Sequence, residues 1–264
     1  MTTPAAPTPP TRPAGHALLA GKVVVVTAAA GTGIGSATAR RAIEEGATVI
    51  ISDAHERRLG ETAAELGKLA GAPVAHFVCD VTKEADVQRL VDGAVAAAGR
   101  IDVMVNNAGL GGTASVIDMT DEQWARVLDV TLTGTFRCVR AALRHMVPRG
   151  AGVIVNNASV LGWRAQVGQA HYAAAKAGVM ALTRCAALEA APSGIRINAV
   201  APSLAMHPFL ARVTSEELLQ ELTAREPFGR AAEPWEIANV IVFLASDYAS
   251  YMTGETVSVS SQRA

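Results

Sequence analysis

A β-branched run, Lys22-Val-Val-Val-Val-Thr27, leads straight into a glycine-rich turn, Ala28-Ala-Ala-Gly-Thr-Gly-Ile-Gly-Ser-Ala37. Helix-forming residues from Ile34 to Glu45 follow. A short, uninterrupted apolar strand of this kind is buried on both faces of a parallel sheet. Gly31, Gly33 and Gly35 allow a tight turn and a close backbone approach, and Ile34 opens a helix whose amino end faces the same point. Strand, turn and helix in this order predict a pyrophosphate cradle at the edge of an α/β sheet.

The next strand, Thr48-Val-Ile-Ile-Ser, ends at Asp53, which lies 18 residues past Gly35. A carboxylate there accepts hydrogen bonds from adenosine ribose hydroxyls and repels a 2′-phosphate, so NAD is favoured. NADP stays open because His55, Arg57 and Arg58 follow closely. Two further apolar strands end in polar or small residues: Val74 to Cys79 leads to Asp80 and Val81, and Ile101 to Val105 leads to Asn106-Asn107-Ala108-Gly109. Val87, Leu90, Val91 and Val95 mark one face of a helix between them. This alternation predicts an α/β fold, a Rossmann-type doubly wound parallel sheet with helices on both faces in a single domain.

The second half of the chain carries the chemistry. Tyr172 precedes Lys176 by four residues in an alanine-rich helical segment, so the two side chains share one helix face. An ammonium beside a phenol favours phenolate and should lower its pKa. Ser159 closes the strand-like run from Gly152, at the carboxyl rim where parallel sheets bind ligands, and can hydrogen-bond a substrate oxygen. A four-residue spacing alone is common; its conjunction with the upstream serine and the glycine turn points to hydride transfer.

On Asn106 to Gly109, Ser159, Tyr172-x-x-x-Lys176 and Ile197-Asn-Ala-Val-Ala-Pro202, the chain from about residue 20 onward resembles the short-chain dehydrogenase/reductases. The resemblance implies that Tyr172 is the proton donor or acceptor, that Lys176 holds the nicotinamide ribose and that Ser159 orients the reacting oxygen. It places Gly31, Gly33, Ile34, Gly35, Asp53, Asp80, Val81, Asn107, Ala108, Gly109, Tyr172, Lys176 and Pro202 along the cofactor. It also marks departures: Thr131 stands where the family carries an asparagine supporting a proton relay, and the turn begins Thr27-Ala28 rather than Thr-Gly. With Ser159-Val-Leu-Gly-Trp-Arg164 and Phe228-Gly-Arg-Ala-Ala-Glu-Pro-Trp235, these departures are similar to an actinobacterial subgroup acting on a hydroxylated hydrindane carboxyl-CoA thioester from the steroid C and D rings.

Residues 1–19, rich in Pro, Thr and Ala, are expected to form a mobile tail, and 20–264 the dinucleotide-binding and catalytic domain. Residues 203–230 interrupt the strand-helix rhythm with apolar side chains and are expected to cover an apolar substrate. Trp163, Arg164 and Met206 are candidate substrate contacts, and Arg164, Arg212 and Arg225 suit an acidic or CoA-bearing arm. Helices expected over Thr120 to Val147 and Tyr172 to Ala190 exceed what a crossover needs, and the family resemblance, whose members pair such helices across subunits, implies a homodimer or homotetramer.

A net charge of −1 gives no electrostatic reason for a nucleic acid or anionic membrane partner. No apolar run reaches membrane length, and three scattered cysteines suggest neither disulfides nor a zinc site, in keeping with a reducing cytoplasm and with no metal. The expected activity is alcohol–ketone interconversion on a small apolar molecule. A 3-oxoacyl-thioester reductase of lipid metabolism and a catalytically silent NAD-binding sensor or scaffold are the alternatives.

Overall fold

The structure, a computed structural model, describes residues 8–206 and 216–261. Its centre is one seven-stranded sheet, every neighbouring pair parallel, in the order β3-β2-β1-β4-β5-β6-β7. The strands are β1 (Val23–Val26), β2 (Thr48–Asp53), β3 (Ala75–Val78), β4 (Val103–Asn106), β5 (Gly152–Asn157), β6 (Ile195–Pro202) and β7 (Thr256–Val259). Val24 pairs with Val49 on one side and Val103 on the other, so β1 is interior, as its all-valine sequence predicts.

Side chains alternate across the pleat and divide the core into two layers. Val24 and Val26 pack with Ile51 against α1 (Ile34–Glu44) and α8 (Pro234–Ala245), through Ala39, Ile237 and Ile241. Val23 and Val25 pack with Ile50 against α3 (Glu84–Ala98) and α5 (Gly134–Met146), through Leu90 and Val139. The four valines are 0–5% exposed, and burying each contributes about 1.5–3 kcal/mol before entropy is counted. The remaining helices are α2 (Glu56–Ala70), α4 (Asp121–Leu128), α6 (Ala170–Ala190) and α7 (Glu216–Ala224).

The order reverses between β1 and β4: helical connections leave β1 toward β2 and β3, whereas the chain returns to β4 on the other side. A crevice opens at such a reversal, beyond the carboxyl ends of the strands. The glycine turn and Asn106 to Gly109 meet there.

Two features differ from the sequence expectations, and a third segment is described only in part. The helix expected over Thr120 to Val147 is two helices joined by a π-helical turn, Asp129–Thr133; a Thr120/Gln123 capping box starts the first. A π-turn accommodates one extra residue and turns side chains out of α-helical register. The boundary set at residue 19 falls inside a docked segment: Arg41 donates to the carbonyls of Pro13 and Ala14, and Glu45 accepts from the N–H groups of His16 and Leu18. Of the segment 203–230, residues 207–215, Arg212 among them, lie outside the described residues. Its described parts are tied down by a bridge between Ala205 and Ala232 and by the buried Glu226, which accepts from Leu204 N and Ser261 Oγ.

Candidate active site

The cofactor side is built on the turn after β1. Gly31 takes φ +90°, and a Cβ at Gly31 or Gly33 would meet nothing within 4 Å, so open space lies above the turn. Gly35 is the opposite case. A Cβ there would lie 2.4 Å from the Ala28 carbonyl oxygen and 2.6 Å from Asn107 Nδ2, which forces glycine. Gly33 caps α1 without a side-chain hydrogen bond, leaving the helix amino end to a ligand anion. Ala28 sits at φ +50°, left-handed space that costs a residue with a Cβ about 1–2 kcal/mol. Asn107 Nδ2 holds it there, donating to the Ala28 carbonyl at 3.0 Å and the Thr27 carbonyl at 3.2 Å.

Asp53, the last residue of β2, accepts from Ala30 N at 3.1 Å and His55 N at 2.9 Å, and Gly31 N donates to Thr62 Oγ1 on α2. Burial raises the Asp53 pKa, against the opposing effects of the Ala30 hydrogen bond and the Arg58 charge. Asp80 is braced by the backbone and hydroxyl of Thr82, at 3.0 and 2.7 Å, and Val81 beside it is buried. Ala108 N bonds Thr27 Oγ1, and Gly109 leaves its Cα face to the Lys176 amine, 3.3 Å from where a Cβ would stand. Ile34 opens α1, while Pro202 ends β6 opposite Val259. The open turn, the uncapped helix end and the acidic β2 terminus fit a dinucleotide.

Ser159 leaves the end of β5, and Tyr172 and Lys176 lie on the first turns of α6. The Tyr172 hydroxyl is hydrogen-bonded to the Ser159 side chain, and the Lys176 amine lies 5.6 Å from the Tyr172 ring centroid. Lys176 is 3% exposed and donates to the Asn157 carbonyl at 2.5 Å. Burial lowers its pKa to about 8. Burial also raises the Tyr172 pKa, partly offset by Ser159. This differs from the expected lowering by lysine: desolvation dominates at Tyr172, and the ammonium is turned toward the Asn157 carbonyl.

Thr131 sits in the π-turn, fully buried. Its hydroxyl accepts from Leu110 N at 2.9 Å and donates to Leu110 O at 3.1 Å, and its carbonyl accepts from Thr135 Oγ1. The single hydroxyl proton is therefore committed to the backbone after Gly109 rather than to a water. Trp163, 43% exposed, and the half-buried Arg164 follow the short helix Val160–Gly162 beyond Ser159. Met206 lies at the edge of the described residues, hydrogen-bonded to Ala232. Arg225, just past α7, is paired with Glu221 on that helix.

Asn156, Asn157 and Thr183 were not singled out from sequence, and the partners of Thr27 and Asn106 were not foreseen. Asn157 Nδ2 donates to Asn107 Oδ1 at 2.9 Å while its carbonyl receives Lys176, so one residue joins the lysine to the glycine turn. Asn106 donates to Asn156, and Asn156 to Thr183, across the buried sheet. Thr27 Oγ1 accepts from Asn107 N and Ala108 N. Two asparagines closing an otherwise apolar strand were the available signal, since buried amides are kept where they are hydrogen-bonded.

A glycine-lined crevice at the sheet's reversal point, with a serine–tyrosine–lysine group at its rim, defines the class. The chain belongs to the short-chain dehydrogenase/reductases, and a family model described as enoyl-(acyl carrier protein) reductase matches residues 28–261. It is 69% identical over 251 residues, covering 94% of this chain and 95% of the relative, to a Mycobacterium tuberculosis protein named (5R,7aS)-5-hydroxy-7a-methyl-1-oxo-2,3,5,6,7,7a-hexahydro-1H-indene-carboxyl-CoA reductase. It is 44% identical, over 90% of this chain and 94% of the relative, to cis-4-hydroxycyclohexanecarboxylate dehydrogenase of Sinomonas cyclohexanicum. A crystal structure of a short chain dehydrogenase from Mycobacterium smegmatis, 62% identical, superposes with a TM-score of 0.86, covering 97% of this chain and 98% of that one. The chain is thus an oxidoreductase of the alcohol–ketone kind that uses a nicotinamide cofactor, and its resemblance to the steroid-ring subgroup holds.

Proposed function

We propose that the protein interconverts a ring ketone and its secondary alcohol on a fused-ring carboxyl-CoA thioester derived from steroid C and D rings, with NAD as its preferred cofactor. The observation that carries this reading is the Tyr172–Ser159 hydrogen bond beside the buried Lys176, in a chain 69% identical to a relative named for such a thioester.

In the reductive direction, Ser159 and Tyr172 hold the substrate oxygen with their hydroxyls. The nicotinamide, when bound, supplies the hydride. Tyr172 gives its proton to the oxygen as the carbonyl carbon is reduced. A pKa raised by burial keeps that proton on the phenol at neutral pH, which suits a general acid. Lys176, carrying its proton below about pH 8, stabilises the phenolate left behind. Thr131 and Asn157 hold the loop and the lysine that frame this geometry. Alcohol oxidation runs through the same residues in reverse.

Support for NAD is the carboxylate of Asp53 at the β2 terminus. Gly31, Gly33, Ile34 and Gly35 cradle the pyrophosphate, Asp80 and Val81 flank the adenine, and Asn107, Ala108, Gly109 and Pro202 line the rest. Trp163 and Met206 take the rings and Arg164 the acidic arm. A homodimer or homotetramer belongs to the same reading, supported by the exposed Phe136, Leu188 and Tyr251. So does a cytoplasmic site of action, supported by the free Cys79, Cys138 and Cys185. Among the described residues no helix is long and apolar enough to cross a membrane.

The test is NADH oxidation with a 5-oxo-hydrindane carboxyl-CoA, its free acid and a straight-chain 3-oxoacyl-CoA. The fused-ring thioester should give the highest kcat/KM, and Arg164→Ala should erase its advantage over the free acid. Preference for the straight-chain thioester would transfer the protein to lipid synthesis.

A further inference from the structure

Every glycine near the catalytic tyrosine but one has a structural reason to be glycine. Gly109 borders the Lys176 amine, and a Cβ on Gly112 would come within 3.2 Å of His171 Nε2. Gly168 is left-handed at φ +76° and tight against Thr113. Gly111 has no such reason: it is exposed, its φ is not left-handed, and a Cβ would find only the edge of the Tyr172 ring, with Cδ2 at 3.8 Å and Cε2 at 4.0 Å. Those are ordinary van der Waals distances. The position therefore has room for a side chain, and that side chain would lie along the tyrosine that meets the substrate.

The space is also fixed in place. Leu110, on one side, is held by Thr131 through both backbone groups. On the other, Gln169 Nε2 donates to Gly112 O at 2.7 Å, and Ala114 N donates to Gly168 O at 3.1 Å. His171, 1% exposed, backs Gly112. An open strip of backbone is thus pinned at both ends beside the reacting hydroxyl.

We infer that Gly111 is a specificity-determining position, its missing side chain leaving room beside Tyr172 for the second ring of a fused-ring substrate. The inference rests on the reading that Tyr172 and Ser159 hold a ring oxygen. With the oxygen on the phenol, the carbons next to the reacting centre lie along the phenol edge, over Gly111. A single six-membered ring reaches this strip little; a fused bicycle covers it.

The experiment compares kcat/KM for 2-decalone and cyclohexanone with NADH in the wild type, Gly111→Ala and Gly111→Val, with NADH binding followed by fluorescence. One or more misplaced methyl groups in an apolar pocket change kcat/KM by about 10–200-fold, so the decalone-to-cyclohexanone ratio should fall at least about tenfold in Gly111→Val, and by less in Gly111→Ala. Gly111→Ala has room to fold, so the direction is read even where the valine variant is unstable. A ratio that stays level in the variants, or a wild type that reduces cyclohexanone and refuses decalone, overturns the inference. The thioester assignment fails separately, by a wild type that takes decalone yet gains nothing from the carboxyl-CoA arm.

Discussion

Thr131 holds Leu110 by both backbone groups, with Oγ1 accepting from its N–H at 2.9 Å and donating to its carbonyl at 3.1 Å. A threonine thus braces the loop after Gly109 with one hydroxyl. The π-turn makes this possible by aiming residue 131 across the gap to a segment 21 positions earlier.

Replacing that hydroxyl with a methyl group tests the clamp. Thr131→Val leaves two backbone groups unpaired and should destabilise the fold by about 1–3 kcal/mol, measured by urea unfolding. kcat/KM should fall with it, and Thr131→Ser should restore most of both. A valine variant of unaltered stability and activity would remove the clamp from the account.

Ala28 carries strain at φ +50°. Ala28→Gly should raise stability, since glycine adopts that conformation freely; the gain is about 1 kcal/mol after the added entropy of the unfolded chain is subtracted. Thermal unfolding of the two proteins side by side reads the sign.

Lys176 makes the folded chain sensitive to alkaline pH. Its folded pKa of about 8 lies below its ordinary 10.5, so between those values the unfolded chain keeps a proton that the folded one has released. Stability rises with pH through that window, and below it the full burial penalty, roughly 3 kcal/mol, is present. Measured against Lys176→Met by urea titration, the wild type should gain ground from pH 7 to pH 10. A constant difference would mean that the lysine is not desolvated.

Asp53 should decide between the dinucleotides. A hydrogen bond to a charged group contributes about 1.5–3 kcal/mol, so Asp53→Ala should weaken NADH binding by roughly ten- to a hundredfold. NADPH, no longer repelled, should bind better than to the wild type. Fluorescence titration with both cofactors checks the pair of shifts.

What was legible in the sequence was local. The β1 valines, the glycine turn and the Tyr172/Lys176 spacing each state their geometry within a few residues. The contacts that complete the site are distant along the chain: Asn107 meets Thr27 across 80 positions and Asn157 meets Asn107 across 50. Those pairings follow from the order of β1, β4 and β5, which no single segment encodes. The π-turn escaped for another reason. Residues 120–147 have helical periodicity throughout, and one inserted residue changes which side chains face inward without changing that pattern. The docking of residues 13–19 depends on Arg41 and on Glu45 at the end of α1, whose pairing looks like an ordinary surface ion pair until the chain crosses it.

In the proposed mechanism the Tyr172 hydroxyl transfers the proton. Tyr172→Phe removes that oxygen alone, and NADH binding followed by fluorescence beside turnover of a 5-oxo-hydrindane carboxyl-CoA measures the consequence. Cofactor affinity should stay close to that of the wild type with turnover lost. Turnover retained in the phenylalanine variant would contradict that mechanism.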